Sequence, residues 1–208
     1  MQSLIEGTII LIDKPLHWSS FQAVNKLKWA IMKKYRLKKF KIGHAGTLDP
    51  LATGLLILCT GKHTKQIPQI QDAPKIYTGT IALGATTASY DLETEIDATF
   101  PTEHITPELI EQVREQFVGD LIQAPPLFSA IKKDGKRLYE LARKGETTEV
   151  PKRAITIHAL ELSLIGEKEL SFKVHCSKGT YIRSLAHDIG KALGSGAHLT
   201  SLRRTQIG

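Results

Sequence analysis

The strongest constraint on the fold comes from a segment of strict alternation between apolar and polar residues. Every second residue of this segment is apolar: Leu170, Phe172, Val174 and Cys176. In an extended chain these four side chains point to the same side, which indicates a strand with one buried face. The preceding stretch Ala154–Ile165 is also strand-like, and Gly166-Glu167-Lys168 can form a turn between the two. The pattern therefore predicts an antiparallel pair.

Helical and strand-like segments are interspersed along the rest of the chain. Strands are predicted for Gly7–Asp13, Gly54–Cys59, Lys75–Gly84 and His198–Arg203. Helices are predicted after the N-cap candidates Ser19 and Ser20, from Thr106-Pro107, over Arg137–Lys144 and over Ile182–Leu193. Lys38–Pro50 is predicted to be a loop because glycine and proline interrupt it. A hairpin without a regular βα repeat favours the α+β class, with a mixed, largely antiparallel sheet flanked by helices.

Length and composition indicate a soluble globular protein. A chain of 208 residues, 41% of them hydrophobic, can bury its core as one domain or as one large and one small domain. The apolar stretches are strand-sized, such as Leu55–Cys59, and no signal segment opens the chain. Cys59 and Cys176 each stand beside strand-like apolar residues. This favours two buried thiols in a reducing cytoplasm over a disulfide.

The positive charge of the chain is concentrated at its N-terminal end. Residues 1–41 hold nine lysines and arginines and only two acidic residues, so their excess equals the net charge of +7 of the whole chain. A local basic field of this kind suits the phosphate backbone of a nucleic acid. A solvated helix face followed by a basic loop explains the charge equally well.

The loop Gly43–Gly54 is the most informative stretch for function. Three glycines and a proline constrain its backbone, and Asp49 stands alone between Leu48 and Pro50. A carboxylate in such poorly solvated surroundings can act as a nucleophile or as a base. An isolated Asp-Pro is more often a turn or a helix cap, so the extended context of Asp49 decides between the two interpretations.

That context resembles the GHxGTLDPxAxGLL segment of the tRNA pseudouridine synthases of the TruB family. Every fixed position of this motif is present between Gly43 and Leu56. The resemblance continues along nearly the whole chain. The other matching segments are Asp13-Lys14-Pro15 with Ser19-Ser20, Lys75-Ile76-Tyr77, Pro125-Pro126 through Tyr139, Cys176 through Arg183, and Gly196-Ala197-His198 through Arg204.

The resemblance implies a role for several individual residues. Asp49 corresponds to the catalytic aspartate, and Arg183 corresponds to the arginine that pairs with it. Tyr77 corresponds to the tyrosine that stacks on the target base. His44 corresponds to the histidine that enters the space left by the flipped base, and Leu202 corresponds to an apolar wall of the pocket.

Three further residues fit substrate-binding positions of the family: Lys14, Lys65 and Tyr181. The pairing of Asp49 with Arg183 is physically sensible, because a guanidinium can hold a carboxylate by two hydrogen bonds and keep it ionised. The path by which Asp49 reacts stays open. It could attack the ribose, attack the ring, or serve while Tyr77 or another base removes a ribose proton.

The activity implied by the resemblance is the isomerisation of a uridine to pseudouridine in the T-arm loop of tRNA, at position 55. The target base must leave the stack, and an aromatic side chain that receives it contributes roughly 1–3 kcal/mol. The reaction needs no redox step and no external group, so no cofactor is expected. The sequence contains neither metal-ligand spacing nor a nucleotide-binding glycine loop.

The resemblance also sets expectations about domains and partners. Residues 1–208 are expected to form a catalytic domain of the pseudouridine synthase fold, without the small C-terminal RNA-binding domain of many family members. Its partner is tRNA, and neither a membrane nor an obligate protein partner is expected. Two other functions stay open: an RNA-folding chaperone that needs no chemistry, and a catalytic subunit that depends on a guide RNA.

Two positions depart from the pattern of the family. His17 stands where the Lys-Pro motif usually has glycine, so a different local turn is expected there. Ala88 stands where an acidic residue is common, whereas the acidic residue Asp91 is retained.

Overall fold

The structure is a computed structural model that describes residues 2–129, 132–133, 136–138 and 150–208. The chain forms two compact units. The first consists of Met1–Tyr77 with Leu202–Gly208, and the second consists of Thr78–Ser201. None of the helices in the described part of the chain combines the length and the apolar character that crossing a bilayer requires.

The first unit combines three strands and parts of two others with three α-helices and a short 3-10 helix. Its elements are α1 (Gln2–Glu6), β1 (Ile9–Lys14), α2 (Ser20–Tyr35), β2 (Ile42–His44), β3 (Ala52–Thr60), the 3-10 helix (Gly61–Gln66), α3 (Ile67–Asp72), the start of β4 (Lys75–Leu83) and the end of β12 (Ala197–Ile207).

Strand β3 is the centre of the first unit. Strand β1 pairs antiparallel with it along one edge, from Ile9 opposite Cys59 to Lys14 opposite Gly54. On the other edge, β2 pairs antiparallel with the end of β3, and β12 pairs parallel with its beginning. The apolar face of α2 packs on this sheet, where Ala23 and Val24 form a core cluster with leucines of β3.

The sequence around Ser19 explains why α2 begins there. The Ser19 side chain accepts a hydrogen bond from the Gln22 backbone N–H, and the Gln22 side chain accepts one from the Ser19 backbone N–H. This capping box satisfies two backbone donors that would otherwise lack partners. The helix ends at Arg36, which has a left-handed backbone with φ of 53°. The chain reverses there and returns toward β2.

The second unit contains the hairpin and most of the remaining elements. They are the rest of β4, β5 (Ala85–Thr87), β6 (Ile96–Thr99), α4 (Pro107–Gln116), β7 (Gly119–Gln123), β8 (Lys132–Lys133), β9 (Lys136–Arg137), β10 (Arg153–Leu164), β11 (Glu169–Cys176), α5 (Ile182–Ala192) and the start of β12. Its main strands follow the order β12, β4, β11, β10, β7.

The predicted antiparallel pair is confirmed. Strand β10 pairs with β11 from Ile157 opposite Cys176 to Leu164 opposite Leu170. All four alternating apolar residues of β11 are buried, as their spacing predicts. The predicted N-caps Ser19 and Thr106 are also confirmed. Both cysteines are buried, and neither forms a disulfide; burial raises the pKa of the Cys59 thiol. The α+β class with a mostly antiparallel sheet is confirmed as well.

Some local predictions were wrong. The predicted loop Lys38–Pro50 contains β2, because residues 42–44 find partners on the end of β3. The last strand is longer than predicted and runs to Ile207. The sequence did not predict strand β7, which forms because it pairs with β10.

The predicted helix Arg137–Lys144 lies outside the described residues except for its first two positions, and Arg137 there ends β9.

Helix α5 packs so closely on β12 at Gly190 that a larger side chain has no room there. A Cβ atom at Gly190 would lie 2.4 Å from the Ala197 Cβ atom, whereas a Cβ atom at Gly166 would meet nothing within 4 Å. Alanine normally favours a helix by about 1 kcal/mol over glycine. We nevertheless expect Gly190→Ala to lower the free energy of unfolding by about 1–3 kcal/mol, because the core has no room for the methyl group.

Urea denaturation of both alanine variants measures this effect. Gly166→Ala is the matched control and should change the free energy of unfolding by less than about 0.5 kcal/mol, as surface substitutions usually do. A Gly190→Ala protein as stable as the wild type would contradict the close packing of α5 on β12.

Candidate active site

The loop that carries Asp49 has a tightly determined backbone. The backbone carbonyl of Asp49 accepts a hydrogen bond from the Ala52 N–H at 3.0 Å, which closes a turn around Pro50. Gly46 and Gly54 have φ of 99° and 101°, a region that disfavours other residues. At Gly54 a Cβ atom would lie 2.2 Å from the Arg204 carbonyl oxygen, so only glycine fits beside β12.

Ser20 fastens the start of α2 to the residue before Asp49. Its hydroxyl oxygen accepts a hydrogen bond from the Leu48 N–H at 2.8 Å and donates one to the Leu48 carbonyl at 3.1 Å. Both residues are buried. A buried peptide group is stable only when its N–H and C=O are paired, so Ser20 permits Leu48 to lie inside the protein. From the sequence, Ser20 was a possible cap and part of a matching family segment, but it was given no contact with this loop.

Arg204 holds the same loop from β12. Its side chain is almost completely buried, with 1% of its surface exposed. Nε donates to the Leu55 carbonyl at 2.8 Å, and the two terminal nitrogens donate to the carbonyls of Gly46 and Thr47. One guanidinium therefore fixes the loop on both sides of Asp49. Sequence reasoning placed Arg204 in a family motif but gave it no role.

Lys14 supplies a second buried positive charge near Asp49. Its side chain is fully buried, and Nζ donates hydrogen bonds to the carbonyls of Pro15 at 3.0 Å and Trp18 at 2.6 Å. Burial lowers the pKa of Lys14, the negative charge of Asp49 opposes that shift, and Arg204 adds to it. Lys14 and Asp49 therefore interact electrostatically, and the carboxylate favours the charged form of the lysine.

His44 ends β2 and is half-buried. Burial lowers its pKa, a hydrogen bond with the Gly46 backbone opposes that shift, and the charge of Arg204 adds to it. With a pKa below the ordinary value of 6.5, His44 is mostly neutral at pH 7. A neutral imidazole can approach nucleobases without bringing a charge into their surroundings.

The first unit also contains three further residues for which the sequence predicts a role: Leu202, Tyr77 and Lys65. Leu202 pairs with Ala52, three residues beyond Asp49, and is half-buried. Tyr77 is the third residue of β4 and is half-buried. It follows Ile76, whose carbonyl accepts a hydrogen bond from Thr205 of β12. Lys65 lies exposed on the 3-10 helix.

Arg183 belongs to the second unit, near the start of α5, and is buried. Its Nε lies 3.7 Å from the Asp91 carboxylate, and one terminal nitrogen donates to the Ser89 carbonyl at 3.3 Å. Asp91 is itself buried and accepts a hydrogen bond from the Glu93 N–H. The loop before β6 thus fixes the guanidinium of Arg183. The sequence showed Asp91 as a retained position but not as this partner.

Tyr181 immediately precedes α5 and is held by Gln123 at the end of β7. The Gln123 side chain accepts a hydrogen bond from the Tyr181 N–H at 2.8 Å and donates one to the Tyr181 carbonyl at 3.1 Å. The guanidinium of Arg153 lies 5.2 Å from the centre of the Tyr181 ring, within cation–π range. This network fixes the start of the helix that carries Arg183.

His17 stands at the turn that contacts the Asp49 loop. Its backbone has φ of 64°, in the left-handed region, and its N–H donates a hydrogen bond to the Pro50 carbonyl at 2.8 Å. Histidine therefore adopts at this position a conformation that glycine adopts more readily.

The first unit thus carries Asp49 on a loop, Lys14 at the end of β1, His44 at the end of β2 and Leu202 on β12. Arg183 and Tyr181 belong to the second unit, so the pairing of Asp49 with Arg183 stays a prediction, as do the roles of all these residues. A carboxylate held by a rigid backbone beside a buried cation can act as a nucleophile or base. Within the described ranges, no group of His, Cys, Asp or Glu side chains could hold a metal ion.

Comparison with known proteins relates the chain to one family over its whole length. Residues 33–182 match the family model described as TruB family pseudouridylate synthase (N terminal domain). Residues 183–208 match the model described as tRNA pseudouridylate synthase B C-terminal domain.

Curated relatives and solved structures agree with these matches. A protein of Flavobacterium johnsoniae named tRNA pseudouridine synthase B is 64% identical over 208 residues, which is 100% of this chain and 91% of that protein. A protein of Phocaeicola vulgatus with the same name is 57% identical, over 98% of this chain and 86% of that protein. A chain in the crystal structure of a Cbf5-Nop10-Gar1 complex is 31% identical with a TM-score of 0.71, over 100% of this chain and 50% of that chain.

Ser20 and Ser19 offer a matched test of how the Asp49 loop is held. In Ser20→Ala the buried peptide of Leu48 loses its partner, which costs about 1–3 kcal/mol. In Ser19→Ala the helix loses its cap, which costs about 1 kcal/mol. We therefore expect similar losses of stability, but only Ser20→Ala should open the peptide at Leu48 locally.

Urea denaturation gives the stability of each variant, and native-state hydrogen exchange gives the protection of the Leu48 amide. Ser20→Ala should speed exchange at Leu48 by more than tenfold beyond what its loss of global stability explains. Ser19→Ala should show no such excess. Equal protection of Leu48 in both variants would show that the Ser20 hydroxyl does not hold the loop.

Proposed function

The chain belongs to the TruB family of pseudouridylate synthases, and on that premise we propose that it converts a uridine in the T-arm loop of tRNA to pseudouridine. Asp49 is the catalytic carboxylate in this proposal. The observation that carries it is the loop around Asp49, in which Ser20, Arg204 and the turn to Ala52 fix the backbone while the buried ammonium of Lys14 lies nearby. Such rigidity holds a reacting group in place without reorganisation.

The chemistry requires a base that has left the helical stack. The glycosidic bond of a stacked uridine is out of reach, so the nucleotide must be extruded into the site. In the proposal Tyr77 gives the extruded ring a stacking face, and Leu202 forms an apolar wall. His44 fills the space that the base leaves behind in the RNA. Its pKa is lowered by burial, so the imidazole of the protein without RNA is mostly neutral at pH 7.

The freed base has to turn and rejoin the same ribose through a carbon atom. The pocket must therefore retain the base and exclude water between the two bond-making steps. All atoms of the product come from the substrate, so the reaction consumes no second reactant. Lys14 contributes in this scheme by keeping a positive charge close to Asp49.

Arg183 is the proposed partner of Asp49. A guanidinium carries five N–H donors, so an arginine that Asp91 and Ser89 already fix can also serve a second carboxylate. The rigid start of α5, held by Gln123 through Tyr181, supports this role because it limits the positions that Arg183 can adopt. Tyr181 and Lys65 are proposed to contact the RNA.

Experiments can distinguish two other functions from this proposal. A tRNA-folding chaperone would act without Asp49, and a guide-dependent subunit would need a further RNA. The resemblance to a chain of the Cbf5-Nop10-Gar1 complex makes the second worth testing. An assay of pseudouridine formation with purified protein and bare tRNA tests for guide dependence, because a stand-alone enzyme forms pseudouridine without any guide.

Asp49→Asn should separate binding from catalysis. The two side chains are nearly the same size, but asparagine is neutral and a very poor nucleophile or base. Loss of an essential catalytic group costs several powers of ten in rate, on the order of 5 kcal/mol or more. We expect tRNA binding within a few fold of the wild type and no detectable pseudouridine in a mass-spectrometric assay after many wild-type turnovers.

Asp13→Asn is the matched control for that experiment. Asp13 lies on β1, is exposed, and forms an ion pair with Arg203 at 2.6 Å, and such pairs contribute little. Its replacement should leave turnover close to that of the wild type. Comparable turnover in Asp49→Asn would disprove the assignment of Asp49 and, with it, the proposed mechanism.

Arg183→Lys should not be a mild change. Lysine keeps the positive charge but lacks the planar guanidinium that can hold two partners at fixed angles. We expect single-turnover rates at saturating tRNA to fall by more than tenfold, which is about 1.4 kcal/mol. Arg114→Lys is the control, because Arg114 forms an exposed ion pair with Glu111 on α4. Near-normal turnover in Arg183→Lys would show that a point charge is sufficient.

A further inference from the structure

A cleft lined by lysines lies in the first unit, next to β2, the strand that ends at His44. It has a volume of about 520 Å³ and is lined by Ile5, Lys28, Lys39, Phe40, Lys41 and Ile42. Lys28 comes from α2, and the other two lysines come from the segment that returns to β2. The reversal at Arg36 brings these parts of the chain together.

The charges of this cleft are unbalanced. None of its six lining residues is acidic, and in the described part of the chain no ion pair is recorded for its three lysines. Like charges gathered in one concave surface repel one another and reduce stability unless an anion binds between them. A cleft with one sign of charge also concentrates the field and attracts counter-ions.

The floor of the cleft differs from its charged rim. Phe40 is buried, and Ile42 packs against the core cluster of Ala23 and Val24. A hydrogen bond of 3.0 Å from the Gly61 N–H to the Lys41 carbonyl fixes the backbone between them. The volume falls within the range of sites that hold small ligands. Apolar walls with a cationic rim suit a ligand that is partly flat and apolar and partly anionic.

The position of the cleft relates it to the proposed RNA site. Ile42 and His44 are the first and last residues of β2, so their side chains point to the same side and lie about 6–7 Å apart along the strand. When RNA contacts His44, the phosphates one or two nucleotides away along the strand therefore lie near the cleft. The remaining basic residues of this end of the chain strengthen the attraction of a polyanion.

We propose that this cleft binds one nucleotide of the RNA backbone outside the target base, with its phosphate on Lys28, Lys39 and Lys41 and its ribose or base over Phe40 and Ile42. The proposal rests on the proposed function in that it takes RNA as the substrate. It adds an anchoring site that positions the strand on the first unit, separate from the pocket for the reacting uridine.

The test compares two triple variants with the same change in charge. The cleft variant is Lys28→Gln/Lys39→Gln/Lys41→Gln. The control variant is Lys33→Gln/Lys34→Gln/Lys38→Gln, which removes three exposed lysines of the same basic segment that do not line the cleft. Affinity for tRNA is measured by fluorescence anisotropy over a series of KCl concentrations, and thermal denaturation verifies that both variants are folded.

The cleft variant should bind tRNA more than tenfold more weakly than the wild type, and its salt slope should fall by about one unit for each phosphate lost. The control variant should lose less than threefold. Lys28→Arg/Lys39→Arg/Lys41→Arg keeps the charges and should restore binding. Equal losses in the two glutamine variants would overturn the proposal, because a diffuse basic field would then explain the binding.

Two further measurements distinguish the remaining outcomes. Titration with uridine monophosphate should show binding far weaker than that of tRNA. Equal affinity would overturn the proposal, because the cleft would then be a site for a free nucleotide and not for an RNA strand. Pseudouridine formation at saturating tRNA should persist in the cleft variant. Failure of the wild type to form any product would overturn the proposed function, whereas a selective binding loss in the cleft variant would still support the anchoring site.

Discussion

The buried guanidinium of Arg204 is the interaction on which the candidate site most depends. It donates to carbonyls on both sides of Asp49, those of Gly46 and Thr47 before it and that of Leu55 after it. A buried charge is stable only when hydrogen bonds replace its hydration. The same bonds that make this burial possible also fix the loop. The geometry of Asp49 and the stability of β12 are therefore coupled through one side chain.

Buried charges around Asp49 give the loop its electrostatic character. Lys14 is fully buried, and its Nζ donates hydrogen bonds to the backbone carbonyls of Pro15 and Trp18, so the negative charge of Asp49 matters to it more than it would at the surface. Asp49 is partly exposed, whereas the side chains of Lys14 and Arg204 are buried. His44 is subject to the same surroundings, which lower its pKa and keep it neutral.

The two units divide the proposed work in a physically sensible way. The first unit carries Asp49 and the lysine-lined cleft, and most of its lysines and arginines are exposed, where a polyanion can reach them. The second unit supplies Arg183, which Asp91 and Ser89 hold firmly. Flexible cations attract RNA over long distances, whereas a fixed guanidinium orients one group.

The α+β class, the β10–β11 hairpin, two helix caps and the family could be predicted from the amino-acid sequence, because alternation, capping residues and the motif around Asp49 are local patterns. The remaining features depend on contacts between distant segments. Strand β2 exists only because β3 offers it partners, and Arg204 contacts a loop about 150 residues earlier. Ser20 satisfies Leu48, and the cleft joins Lys28 to Lys39. Such contacts depend on where the backbone places distant residues, and no local pattern encodes that.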